Sequence, residues 1–310
     1  MLGGYDTQFY REINNFKIIE PLRAQSIKGV WRWWARALLA GVLWDKGYRD
    51  HLEILVRKLE NRLFGQIDPT PLASKFKIET RTGKVYYDII GRKRGRTPRE
   101  RLLSLKNEIR IATKLYDTYI IVKPRLGYED LKDSEKSFAY ASLVLGLILS
   151  GLGKGSRRGY GVLDFKILED QTGLFKWIKD SGALGKEHIK KILDKAYSCA
   201  DEYISEFVEQ KPSINDQEIP PIPALSKSTL QQWKYETPSK VMYIEVRDKV
   251  ETIHEKLESF TLRISRHKYI TPTQPNFGEP FRQRFIAWIL GMPRSQRGTG
   301  YFDGRRASPL

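Results

Sequence analysis

At 310 residues the chain is longer than most single domains, so two are expected. Forty per cent hydrophobic residues, among them 7 Trp, 16 Tyr and 13 Phe, exclude wholesale disorder, and a lone cysteine, Cys199, excludes an internal disulfide framework. The formal charge of +17 is segregated: residues 171–260 carry 13 Lys+Arg and 15 Asp+Glu, the other 220 residues 41 and 22. Segregation of this kind points to a polyanionic partner, nucleic acid being the simplest. No signal peptide is recognisable, and the longest apolar run, Phe138–Leu149, is too short and too rich in Ala and Gly to span a bilayer. A cytoplasmic protein without a membrane partner is expected.

In chain order, NNFKIIEP (14–21) reads as a short strand and SIKGVWRWWARALLAGVLW (26–44) as a helix capped by Ser26. Trp31, Trp34, Ala35, Leu38 and Val42 fall on one face of it, and Cys199 falls within a later amphipathic helix as a small core residue. A second helix, 51–65, ends at Gly65. KFKIET (75–80) and KVYYDII (84–90) read as strands, the latter running into the basic tract Arg92–Arg101, which suits a projecting arm. Residues 108–126 supply one or two further strands, Ser134–Ser150 a core helix, and VLDFKIL (162–168) another strand. After them come the amphipathic helix within 186–210, a proline-bearing connector (211–228), the strands 241–246 and 261–265 and a helix over 279–290.

Without its insertions this order is strand–helix–strand–strand–helix–strand, the ferredoxin-like (RRM-like) arrangement. An apolar helix followed by an Arg-rich glycine loop occurs twice, as GLGKGSRRGYG (151–161) and GMPRSQRGTGYF (291–302), the mark of an internal repeat. The expected fold is α+β: two ferredoxin-like halves with helical insertions. They cover residues 1–170 and 171–310, the second without its final strand.

The first glycine loop holds five glycines and the cations Lys154, Arg157 and Arg158 in eleven positions. Glycine lets backbone N–H groups approach an anion closely, and the cations add charge-assisted contacts to phosphate. A plain turn needs one or two glycines, so the loop reads as a phosphate-binding element, and it lacks the spacing of a P-loop. In the first helix Lys28, Arg32 and Arg36 are spaced by four, along one side, with Trp33 nearer to them than Trp31 or Trp34. Such a row can follow a phosphate backbone and stack a base, or can simply be a solvated face. The four histidines (His51, His188, His254, His267) form no metal or catalytic spacing, and no G-x-S-x-G occurs. No catalytic residue, metal or cofactor is therefore expected.

The helix motif S-I-K-G-x-x-R-W-W-x-R-A (26–37), the loop after the core helix and the repeated halves resemble the RAMP superfamily of CRISPR proteins. QSIKGVWRWWARAL (25–38), ILGMPRSQRGTGYFDGRRASPL (289–310) and LGGYDTQ at the start are most similar to the first-subunit family of the type III-B (Cmr) effector complex. The resemblance implies a non-catalytic subunit of an antiviral ribonucleoprotein, lying near the 3′ part of the crRNA and helping to hold target RNA beside other subunits. Its implied RNA-binding residues are Lys28, Arg32, Trp33 and Arg36, then Lys154, Arg157, Arg158 and Tyr160, and in the second half Arg294 and Arg297. Family members have a strand before L-G-G and a final strand after the second loop, so a partner or further residues are expected to complete both sheets. The alternatives are a RAMP endoribonuclease processing precursor crRNA, for which no histidine lies near the loop, and a structural subunit whose basic surface meets acidic proteins.

Overall fold

The computed structural model describes residues 22–90, 109–128, 130–153, 161–209, 212 and 220–227. The expected strand 14–21, the tract Arg92–Arg101, the interior of the first glycine loop and the whole of the second expected half beyond residue 227 lie outside the described residues.

The centre is α1 (Ala24–Asp45), which touches α2 (Leu52–Phe64), α3 (Asp133–Leu149), α4 (Lys186–Phe207) and the strand β1 (Phe76–Arg81). Its two halves differ as the sequence does. Residues 37–44 hold no charge and are all buried, whereas Lys28, Arg32 and Arg36 keep one side of the first half in contact with solvent. The helix begins two residues before Ser26, with Arg23 as the cap residue (φ −95°, ψ 131°). The Arg23 carbonyl already accepts from Ser26 N at 3.0 Å and Ile27 N at 3.3 Å, and buried Leu22 and Ile27 pin that turn to the core.

α3 and α4 pack on each other and on α1, with Phe138 stacked on Tyr203 at 5.0 Å. Cys199 is 1 % exposed in this layer, and burial pushes its thiol up to about 11. Native protein at pH 8 is accordingly expected to resist alkylation by iodoacetamide. Mass spectrometry should find the adduct only after unfolding.

Four strands form one long antiparallel ribbon in two segments. β1 pairs with β4 (Tyr119–Pro124) from Phe76↔Pro124 to Arg81↔Tyr119, and β2 (Val85–Ile90) pairs with β3 (Ile109–Leu115) from Val85↔Leu115 to Ile90↔Ile109. Tyr116 N donates to Lys84 O at 2.9 Å in the joint between them, and a bulge follows at Tyr86/Tyr87. The described part of the chain is thus a mixture of helices and strands with a small antiparallel sheet.

Residues 162–168 form no strand ladder among the described residues. Their alternation is present: Leu163, Phe165 and Ile167 pack against the core, and Val162, Asp164, Lys166 and Leu168 point outward. Phe165 is tied to a short 3-10 turn, Ser181–Ala183: Ser181 N donates to Phe165 O, and Ser181 Oγ accepts from Phe165 N at 2.8 Å.

A strap from the connector, residues 224–226, lies buried across α1. Leu225 N donates to Ala37 O at 2.8 Å, and a Cβ on Gly41 would sit 1.9 Å from Leu225 O, so only glycine admits this crossing. Asp45, at the end of α1, accepts from Tyr197 Oη at 2.7 Å, Ser226 Oγ at 2.5 Å and Lys227 N at 2.8 Å. No helix among the described residues is long and apolar enough to cross a membrane.

Candidate nucleic-acid interface

The i, i+4 spacing of Lys28, Arg32 and Arg36 places all three along one wall of an open groove of about 780 Å³ between α1 and α2. Val56, Arg57, Glu60 and Phe64 of α2 face them, the loop after α2 closes one end, and Ile222 of the connector adds an apolar contact. That loop turns at Gly65 (φ +74°), where a Cβ would meet Leu72 O at 2.2 Å, and it is clasped by reciprocal bonds between Gln66 and Leu72.

Glu60 organises the cationic wall. Its carboxylate, buried in the floor, accepts from Arg32 Nε at 2.6 Å and lies 3.5 Å from Arg36 Nε. The two guanidiniums are thereby held side by side, with Arg36 half exposed. Lys28 stands apart from this pairing. Burial, with the nearby charges of Arg32 and Arg125, lowers its pKa, and no carboxylate pairs with it among the described residues. Lys28 thus stands among like charges with no acid of its own among the described residues, a place that an anion would relieve.

Trp33 takes a different place. It is half-buried, packs against the core and meets Trp34 edge-on at 5.0 Å, outside the residues that line the groove. Trp34 Nε1 donates to Ser150 Oγ at 2.7 Å, and Leu152 N donates to Gly161 O at 2.8 Å. These bonds seat the base of the first glycine loop beside α1 and bring its two ends together. Lys154, Arg157, Arg158 and Tyr160 within it, and Arg294 and Arg297, lie outside the described residues.

Glu60, Arg57, Arg125 and Ile222 are site residues that the sequence motifs did not single out. Glu60 was findable: it falls four residues after Val56 and four before Phe64, a carboxylate on the buried stripe of an amphipathic helix. Nothing local marks Arg125 or Ile222, whose places come from tertiary packing. His188 lies away from the groove, stacked on Trp177 at 5.6 Å with Nδ1 accepting from Gly185 N at 3.1 Å. Among the described residues no group of three or more His, Cys, Asp or Glu is arranged to hold a metal.

No curated protein matches this chain. A chain in a cryo-EM structure of a type III-B Cmr-beta complex, bound to cognate target RNA and AMPPnP in the presence of ssDNA, is similar at 16% identity and a TM-score of 0.37. The match covers 64% of this chain and 60% of that one, so the chain spans less than two thirds of its length. The family model described as the RAMP superfamily matches residues 3–164, which takes in the cationic helix, the ribbon and the first glycine loop. With more than half of its length matched by that model, the chain belongs to the RAMP superfamily.

Proposed function

We propose that this chain is a non-catalytic RNA-binding subunit of a type III-B CRISPR ribonucleoprotein, of the first-subunit family, contacting crRNA near its 3′ part, target RNA, or both. The observation that carries the reading is the cationic wall of the groove, where Lys28 is gathered beside Arg32 and Arg125 and has no carboxylate partner among the described residues. Superfamily membership and the S-I-K-G-x-x-R-W-W-x-R-A motif support it. In this reading the groove and the glycine loops with Arg157, Arg158, Arg294 and Arg297 hold phosphates, and the chain comprises two ferredoxin-like halves.

The test is binding of a labelled single-stranded RNA across a salt series, wild type against Lys28→Ala/Arg36→Ala. For a single strand, every phosphate left without its cation makes the slope of log K against log salt shallower by about 0.7, so a drop of about 1.4 is expected. Coincident slopes would remove the groove from the interface. Metal-independent cleavage of the RNA by the isolated chain would replace the reading with the endoribonuclease one.

A further inference from the structure

One wall of the groove does not come from α1, α2 or the loop after α2. Ile222, which lines it, belongs to the run Pro220–Pro221–Ile222–Pro223, whose three prolines fix φ and carry no amide donor. Three residues on, the chain is fastened to α1. Ala37 and Gly41, one helical turn apart, let it cross closely, and Leu225 N donates to Ala37 O at 2.8 Å, one residue past the groove cation Arg36. Ala224, Leu225 and Ser226 are buried at this crossing, and Ser226 Oγ and Lys227 N both donate to Asp45. The Lys227 ammonium adds Asp194 at 3.5 Å and the face of the Tyr197 ring.

Fastening and lining are thus done by different residues. Leu225, Ser226 and Lys227 hold the strap to α1 and α4 and line no part of the groove, whereas Ile222 lines it and packs, partly buried, against the core. Ile222 has a proline on each side, and the residue before a proline is itself restricted. Its backbone has little freedom to move apart from Leu225, so it enters and leaves the groove with the strap.

A strand of RNA in the groove lies against Ile222 while the strap is seated and loses that apolar contact to water when the strap lifts. It therefore binds the seated state more tightly, and a ligand with such a preference shifts the equilibrium toward that state. We propose that the strap is a movable wall of the groove whose seating is linked to RNA binding: RNA holds the strap down, and the seated strap tightens the hold on RNA. The inference rests on the groove reading for its ligand. It also gives the groove a covalent route outward, since residues 228–310 continue from Lys227.

The test is hydrogen–deuterium exchange of the full chain, with and without a saturating short single-stranded RNA, followed in the peptide covering 220–227. RNA should slow exchange there about fivefold or more, beyond any slowing in α3 and α4. Linkage is reciprocal, so a chain that cannot seat the strap should bind RNA more weakly by the same factor. Gly41→Ala is that chain, because its Cβ would meet Leu225 O at 1.9 Å while alanine suits the helix itself. Its salt slope should match that of the wild type, since no cation is lost. Ile222→Ala keeps every fastening and covers the case in which Gly41→Ala fails to fold. RNA should bind it about fivefold more weakly and no longer slow exchange at 220–227. If RNA leaves that exchange unchanged while Lys28→Ala/Arg36→Ala still weakens binding, the strap is a fixed part of the fold and the groove reading stands. Slowing no greater than in α3 and α4 would overturn the linkage in favour of general stabilisation. If wild type shows no salt-dependent RNA binding, both readings fall.

Discussion

Trp31→Ala is expected to destabilise the protein by about 3–5 kcal/mol, the usual cost of removing a large buried ring. The indole is 1% exposed, meets Phe64 edge-on at 4.9 Å and Phe76 at 5.6 Å, and so joins α1 to α2 and to the base of the ribbon. Its Nε1 donates to Ala139 O at 2.7 Å and Ser142 Oγ at 3.0 Å, joining α1 to α3 as well. Ala139 O keeps a donor in the variant, because Ser142 Oγ also reaches it at 2.9 Å. Most of the penalty is then the cavity and the missing apolar packing, not a stranded carbonyl. Urea titration would measure it. Trp33→Ala, at a half-buried ring outside this junction, should cost clearly less, and equal losses would contradict the division of labour among the three tryptophans.

Glu135→Ala should cost about 3 kcal/mol, because the carboxylate is buried and its removal strands its partners. Lys75 Nζ lies 2.5 Å from it with only 15% of that side chain exposed, and Arg62 Nε lies 3.1 Å away. Its other oxygen accepts from Lys132 N at 3.3 Å, closing the first turn of α3. One side chain thus binds α2, the entry to β1 and the start of α3. Adding Lys75→Met to Glu135→Ala should recover part of the loss, since the uncompensated ammonium goes with it. A double variant no better than the single would show that the penalty lies in the α3 turn.

Much of this architecture was written locally. The 3.6-residue period of α1 was visible in Trp31, Trp34, Ala35, Leu38 and Val42, all of them buried. The alternating runs at 75–80 and 84–90 became strands, and residues 108–126 supplied two. Pairing was not local: that β1 meets β4 is decided by closure over the intervening chain, which no short window contains. The run at 162–168 shows the limit from the other side, since its alternation is there and no ladder forms on it among the described residues. For the site, the i, i+4 row falls along one wall of the groove, as its spacing requires. The consecutive Trp33 and Trp34 were harder to apportion, because neighbours on a helix lie about 100° apart and a stripe of ordinary width can claim either.

The strap over Gly41 imposes a timetable on the nascent chain. α1 is made before the strap, and the bond from Ser226 to Asp45 waits for a residue 181 positions later in the sequence. At ordinary synthesis rates of roughly 5–20 residues per second, that interval is on the order of ten to forty seconds. Through it, the strip from Ala37 to Gly41 lacks its cover. A polypeptide released before residue 227 would carry that strip into water permanently, and premature termination there is where misassembly would begin.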